Sequence, residues 1–288
     1  MAQKLIFVHA LTPLHAGAGQ GVGAIDLPIQ RERATNLPVL PGSGLKGCLR
    51  DAMRADQHVD LLFGAPSKEG EDMSAGVLRI SDAHLLLLPV RCLGATFAWT
   101  TCPFVLRRFA RAAGATAPSV PAVADGNARL ASMDATVKLS AGSRLVLEDL
   151  DFDPGANADP DAIAWCKWIG DRLFPKDGDP WREELRKRFA IVDDKSFDFL
   201  SEFATEVTAH ISINDETGTV DEGALWYQEA LPAETVLAGV LQADTPRKGG
   251  SGFSAEKILE MVVANEGMQF GGKASTGLGY ARLMPARA

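Results

Sequence analysis

No run of about 18 apolar residues occurs in the chain, so no segment is expected to cross a membrane as a helix. The opening residues, MAQKLIFVHALTPLH, lack a signal-peptide cleavage pattern. The four cysteines, Cys48, Cys92, Cys102 and Cys166, stand too far apart for a zinc spacing or a disulfide framework. These absences point to a reducing cytoplasm. A basic surplus is missing too: the net charge is −8, which excludes a simple nucleic-acid binder coated in lysine and arginine. No nucleophile elbow announces Ser-His-Asp chemistry. GGKASTGLGY, at 271–280, is glycine-rich, yet it lacks the lysine and Ser/Thr that follow the last glycine of a phosphate loop. It also lacks the spacing of a dinucleotide fingerprint.

What is present is ordinary in amount and uneven in placement. At 288 residues and 46% hydrophobic, the chain can build one large domain or two small ones around a real core. Its 28 glycines and 16 prolines promise many turns. Residues 28–54 hold five bases and two acids, residues 91–111 four arginines and no acid, and residues 148–194 thirteen acids and seven bases. Such segregation permits one basic face on an acidic protein.

KLIFVHALT, at 4–12, reads as a strand with both phases apolar, hence central and covered on both sides. The long stretch 14–42 has no clear period; loops of this size are functional or disordered, and Ile25, Leu27, Ile29, Val39 and Leu40 can anchor this one. Ser43 is placed to N-cap a helix over about 44–58. Further strands are expected over 77–90 and 94–101, and a helix in PFVLRRFARAAG ending at Gly114. A loop follows over 115–130, helices over 160–190, and strands around a hairpin over 206–242, with SINDETGTV as the turn. A last strand follows the glycine-rich stretch. This order, without a repeated βαβ cadence, predicts an α+β fold with an antiparallel sheet.

Several residues could carry chemistry. In GAIDLPIQRE no second acid sits directly beside Asp26, and Arg31 and Arg33 close by could hold flanking phosphates or neutralise it. Asp26 is either a turn aspartate bonded to its own backbone or a group that meets a ligand. His15 lies eleven residues earlier in the same loop, so the two could act as acid and base or share a metal. GSGLKGCLR places free N–H groups at a helix start, where Ser43, Lys46 and Arg50 could receive phosphate. Gly272 and Lys273 could do so in the last glycine-rich loop. Trp99, Trp165 and Trp168 read as core, His9, His84 and His210 as packing, and Trp226 as the tryptophan best placed to meet a base.

Taken together, LTPLHAGAGQGVGAIDLPIQRE, LPVLPGSGLKGCLRDAMR, LFGAP, GVLRISDAHLLLLPVRCLGATFAWTTCPFVLRRF, GALWYQEALP and FGGKASTGLGYARL resemble the RAMP proteins of CRISPR systems. The similarity is strongest to the repeated backbone subunit of type III-B (Cmr) effector complexes, and it spans residues 11–283 with gaps. It implies one domain over 1–288: a ferredoxin-like core, a partly helical insertion at about 115–205, and a protruding β-hairpin thumb at about 211–232. It implies a filament of copies on a CRISPR guide RNA, beside other subunits of the complex and away from membranes. It implies cleavage of complementary single-stranded target RNA at regular intervals, aided by a divalent ion, Mg²⁺ or Mn²⁺. Asp26 matches the cleavage residue, as metal ligand or as base, and His15 the loop histidine. Lys46 and Arg50 match the basic helix that holds guide phosphates. A single carboxylate suffices for such chemistry, because RNA carries its own nucleophile, the 2′-hydroxyl, and needs chiefly to be aligned.

Two other readings remain open from residues alone. One is the same fold as a non-catalytic guide-RNA scaffold. The other is a small-molecule enzyme that uses its glycine-rich loops for a phosphorylated ligand, which the missing cofactor fingerprints weaken.

Overall fold

Apolar residues on both phases of the first strand, β1 (Ala2–Ala10), leave Ile6, Phe7, Val8 and Ala10 fully buried, as expected of a strand covered on both faces. The computed structural model describes every residue except positions 20, 22, 66–74, 133, 135–136, 140–143, 246–251, 263–264 and 287–288. Two positions of the first glycine-rich motif and Pro66 of LFGAP therefore lie outside the described residues.

A long loop leads from β1 to β2 (Val39–Leu40), α1 (Gly42–Ala52) and α2 (Val59–Phe63). The strand expected over 77–90 is two, β3 (Leu78–Ile80) and β4 (Ala83–Arg91). The break falls where side chains replace the ladder: Ser81 Oγ accepts the Val240 N–H at 2.8 Å and Asp82 Oδ1 accepts the Gly42 N–H at 2.7 Å. Next come β5 (Phe97–Thr101) and α3 (Pro103–Ala113), which ends at Gly114 with φ 68°, a left-handed value that suits glycine. The chain continues through β6 (Ala128–Leu130), β7 (Leu145–Leu147), β8 (Leu150–Phe152), α4 (Pro160–Leu173), α5 (Pro180–Arg188) and β9 (Phe189–Val192). It closes with α6 (Asp194–Phe203), β10 (Glu206–Ile213), β11 (Val220–Ala230), β12 (Val236–Ala243), α7 (Ala255–Met261), β13 (Asn265–Gln269) and β14 (Tyr280–Pro285).

Six of these elements, β1–α1–β4–β12–α7–β14, make a βαββαβ unit. Their strands lie in the order β14–β1–β12–β4, every neighbour antiparallel. In chain order that is fourth, first, third, second, the ferredoxin-like arrangement. Residues 92–235 are inserted between the second and third core strands. The insertion is longer than the 115–205 expected from sequence, and it is not helical alone. Its strands β5, β9 and β6 continue the main sheet beyond β4, with β5 and β9 parallel. Phe109 of α3 reaches Phe7 of β1 at 5.8 Å between ring centres and also meets Trp165 and Trp168 of α4. The insertion thus supplies helices that cover the core sheet.

β10 and β11 form a separate two-stranded sheet, paired from Glu206↔Ala230 to Ile213↔Val220. The hairpin begins five residues before the expected 211. Its turn is held by Asn214, whose Oδ1 accepts the N–H groups of Glu216 and Thr217.

Candidate active site and nucleic-acid interface

The long loop after β1 is organised by the root of the hairpin. One edge of β11 pairs with β10, and the other takes two segments of the loop. Leu14 and Leu231 exchange N–H···O bonds of 2.8 and 2.9 Å. Further along, the Leu27 N–H donates to Tyr227 O and the Glu229 N–H to Leu27 O, both at 3.0 Å. The two loop segments are joined to each other by Ala18 N–H to Pro28 O and Gln30 N–H to Ala16 O.

Asp26 and His15 meet on this edge. The exposed Asp26 carboxylate accepts the Tyr227 N–H on Oδ2 at 2.8 Å, and its other oxygen takes no hydrogen bond among the described residues. The His15 ring lies 2.6 Å from Glu229 O through Nδ1. A carbonyl only accepts, so Nδ1 carries a proton. Tyr227 and Glu229 are two residues apart, about 7 Å along a strand, and their polar groups point the same way. Asp26 is therefore not the turn aspartate of the bland reading. Its side chain bonds backbone about two hundred residues away.

Two glycines make this possible by close approach. The Gly21 N–H donates to Asp26 O at 2.9 Å, and a Cβ on Gly21 would lie 2.5 Å from Ile25 O. Gly271, at φ 71°, passes so near His15 that a Cβ would lie 2.3 Å from its carbonyl oxygen, while Gly272 donates its N–H to that oxygen at 2.9 Å. The last glycine-rich loop thus roofs His15, which is 6% exposed. Gly272 acts on His15 rather than standing open, and Lys273 is exposed in a left-handed conformation at φ 66°.

The basic residues separate into tethers and free groups. Arg31 is a tether: it pairs with Glu229 at 2.6 Å and donates to Ser201 O and Asn36 O. Arg50 is another, bonded to Asp60 at 3.0 Å and to Gly64 O at 2.6 Å, which fastens α2 to α1. Ser43 is not an N-cap. The helix starts at Gly42, two residues earlier than expected, Pro41 occupies the cap, and the first N–H is taken by Asp82. Ser43 itself is exposed in the first turn and Lys46 is half-buried one turn on. Three of the four arginines of 91–111 are also spoken for. Arg91 pairs with Glu148, Arg107 with Asp194 and Arg108 with Glu32. Charges segregated in sequence are thus largely recombined in space. Arg33, Lys46, Arg111 and Lys273 form no ion pair among the described residues.

Glu32 fixes the far half of the loop. It accepts Arg108 at 2.9 and 2.7 Å, Thr35 Oγ1 at 2.5 Å, and His84. Burial alone would raise its carboxyl, but the Thr35 hydroxyl, Arg108 and His84 outweigh that and hold it below the usual glutamate range. Trp226 is half-buried and stacked on His210, 5.6 Å between centres with a 16° interplanar angle. The opposite face of the hairpin presents Val207, Ile211, Ile213, Val220, Leu225 and Tyr227 to solvent.

Glu229 and Tyr227 are missing from the sequence-based list of site residues. A signal existed for Glu229. It is an acid on the same phase as Leu225, Tyr227 and Leu231 in an alternating strand, an unusual place for a carboxylate that ends up 4% exposed.

No three His, Cys, Asp or Glu side chains gather into a metal-binding group among the described residues. Asp26 alone can offer one carboxylate oxygen, which fits a cation whose other ligands come from phosphate and water.

Comparison with known proteins agrees with this architecture. The RAMP superfamily model matches residues 7–282. The CRISPR system Cmr endoribonuclease Cmr4 of Pyrococcus furiosus is 33% identical over 293 aligned residues, covering 98% of this chain and 95% of that protein. The structure of oligomeric Cmr4 from Pyrococcus furiosus superposes with a TM-score of 0.74 at 25% identity, covering 100% of both chains. A chain from the type III-B Cmr-beta complex bound to cognate target RNA superposes with a TM-score of 0.73 at 19% identity, over 99% of this chain and 97% of that one, a likeness of fold. A ferredoxin-like core, a hairpin whose root clasps the first loop, and a family match over nearly the whole length lead to one assignment: the chain belongs to the RAMP superfamily.

Proposed function

We propose that this protein is the guide-RNA-binding backbone subunit of a type III-B CRISPR effector, and that it cuts complementary single-stranded target RNA at Asp26. The observation that carries the reading is the exposed Asp26 carboxylate, clipped by the Tyr227 N–H to the root of a protruding hairpin. Further copies of the chain and other Cmr subunits complete the particle, and the hairpin over 206–230 serves as the thumb that distorts the RNA strand.

The target's own 2′-hydroxyl is the nucleophile. It attacks the adjacent phosphorus, the bond to the 5′-oxygen breaks, and the products carry a 2′,3′-cyclic phosphate and a 5′-hydroxyl. The protein's part is alignment and charge. The Asp26 oxygen left free by Tyr227 faces the strand; Arg33, Lys46 and Lys273 are the cations available for phosphates. A divalent ion, Mg²⁺ or Mn²⁺, held by Asp26 would neutralise phosphate charge there. His15 is under the Gly271–Gly272 roof with its proton committed to Glu229 O. This arrangement favours a positioning role over proton transfer.

Asp26→Asn in the assembled complex tests the reading. Assembly and target binding should be retained while cleavage falls by about 10³-fold, within the range for loss of one positioned acid or base. A target with 2′-deoxyribose at the cut site should resist cutting there. Normal cutting by Asp26→Asn would favour the scaffold alternative, with catalysis elsewhere.

A further inference from the structure

We propose that Glu229 is a positioning residue that couples the hairpin to the Asp26 loop, so that the two move as one body. This rests on the reading of Asp26 as the cleavage residue. Among the described residues, the buried Glu229 makes five hydrogen bonds. Its Oε1 accepts Arg31 Nη2 at 2.6 Å and Thr205 Oγ1 at 3.0 Å, and its Oε2 accepts the Ile29 N–H at 3.0 Å. Its N–H donates to Leu27 O at 3.0 Å, and its carbonyl takes the His15 Nδ1 proton at 2.6 Å. Three of these fall on Leu27, Ile29 and Arg31, alternate residues of the segment that begins at Asp26. The others fall on His15 and on Thr205, just before β10.

The chemistry explains why a carboxylate is needed. Along an ordinary sheet edge, the Ile29 N–H would find a backbone carbonyl. Here the side chain of Glu229 takes that place, so the loop's register on β11 is set by a side chain. Arg31 supplies the countercharge that lets the acid stay buried, and its other N–H groups reach Ser201 O at the end of α6 and Asn36 O in the far half of the loop. Loop, hairpin and helix converge on one ion pair. A change in hairpin tilt as RNA threads past is then transmitted to Leu27 and Ile29, and through them to Asp26. Losing the carboxylate leaves the Ile29 N–H unpaired and the Arg31 guanidinium without its countercharge, and lets the loop slide along the strand, which misplaces Asp26 without removing it.

The experiment uses the assembled complex with guide RNA and a complementary target. Glu229→Gln keeps the volume and one acceptor oxygen but loses the charge. Arg31→Met, placed off the hairpin, removes the other half of the pair and serves should the first variant fold poorly. Each should bind target with wild-type affinity and cut at the wild-type positions. Under single-turnover conditions each should cut about 10- to 100-fold more slowly, the penalty of a misplacement near 1 Å. Hydrogen exchange should quicken at Leu27 and Ile29 while β1 keeps its protection. If Arg31→Met and Glu229→Gln cut at the wild-type rate while Asp26→Asn is inactive, the coupling is overturned and the reading of Asp26 stands. If Asp26→Asn itself cuts normally, it is that underlying reading that falls.

Discussion

β1 and β10 are both strands with a strong apolar pattern, of nine and eight residues, β1 on both phases and β10 on one, with opposite fates. Ile6, Phe7 and Val8 of β1 are wholly buried, whereas Val207, Ile211 and Ile213 of β10 are 49%, 49% and 57% exposed. Neighbours decide the difference. β1 pairs with β12 on one edge and β14 on the other, and its sheet is covered by helices. β10 has β11 alone. An isolated hairpin is marginal in water, so this one owes its order to its root, where the loop and Arg31 hold β11. An apolar strand pattern therefore announces that a strand exists. The number of strands beside it decides whether those side chains become core or remain available to a partner.

The contrast is broken most severely from the core side. Phe7→Ala removes a fully buried ring that packs edge-on to Phe109, and should cost about 3–5 kcal/mol in urea unfolding. The insertion's own anchoring is tested next by Asp193, the N-cap of α6, which accepts the Ser196 N–H at 2.9 Å and the Gly126 N–H at 3.1 Å. Asp193→Ala should cost about 1–2 kcal/mol at neutral pH. Burial pushes this carboxyl up, but bonds from Ser196, Gly126 and Lys195 prevail and hold it below the usual aspartate range. A depressed folded value means the stabilisation is present above the unfolded value and lost as pH falls through the folded one. The deficit of the variant should therefore shrink in acid below the usual aspartate range, as measured by unfolding at pH 7 and in strong acid.

Lys46 and Arg50 sharpen the division between free and tethered cations. Lys46→Ala should weaken RNA binding for all sequences alike and reduce the salt slope by about 0.7. Arg50→Ala should leave that slope unchanged and cost about 0.2–1 kcal/mol in stability, since its guanidinium is spent on a half-exposed pair with Asp60. The smallest effect belongs to the hairpin. Leu225→Ser should change folding stability by under about 0.5 kcal/mol, the norm for an exposed position. It should blur the spacing of cuts if that face grips RNA or a neighbouring subunit, a result readable on a product ladder.

The core was largely legible in the sequence because its signals are local. The period of KLIFVHALT, Gly114 after PFVLRRFARAA, and the polar turn between β10 and β11 each set an element within a few residues. β9 and α6 were not anticipated. FAIV is too short for a period to emerge and finds its place by parallel pairing with β5. DKSFDFLSEF carries its N-cap signal in Asp193, hidden in a run of acids that reads as a solvated surface. At the site, Asp26 and His15 stood out through the loop that holds them. What holds them in turn lies some two hundred residues away, at Tyr227 and Glu229, and no local pattern links the two stretches. Arg31 and Arg50 read as phosphate ligands for the same reason: their acidic partners are named only once the chain has folded.

Short segments of the first loop occupy the side of β11 that faces away from β10. An open strand border is a template on which another chain can polymerise, and proteins guard such borders. Here the guard is the segment that carries Asp26. Shortening that loop would do more than remove a carboxylate: it would bare a row of unsatisfied N–H and C=O groups beside exposed valine, isoleucine and leucine, the recipe for uncontrolled sheet-to-sheet aggregation. The position of Asp26 and the protection of this strand border are kept by the same few backbone bonds.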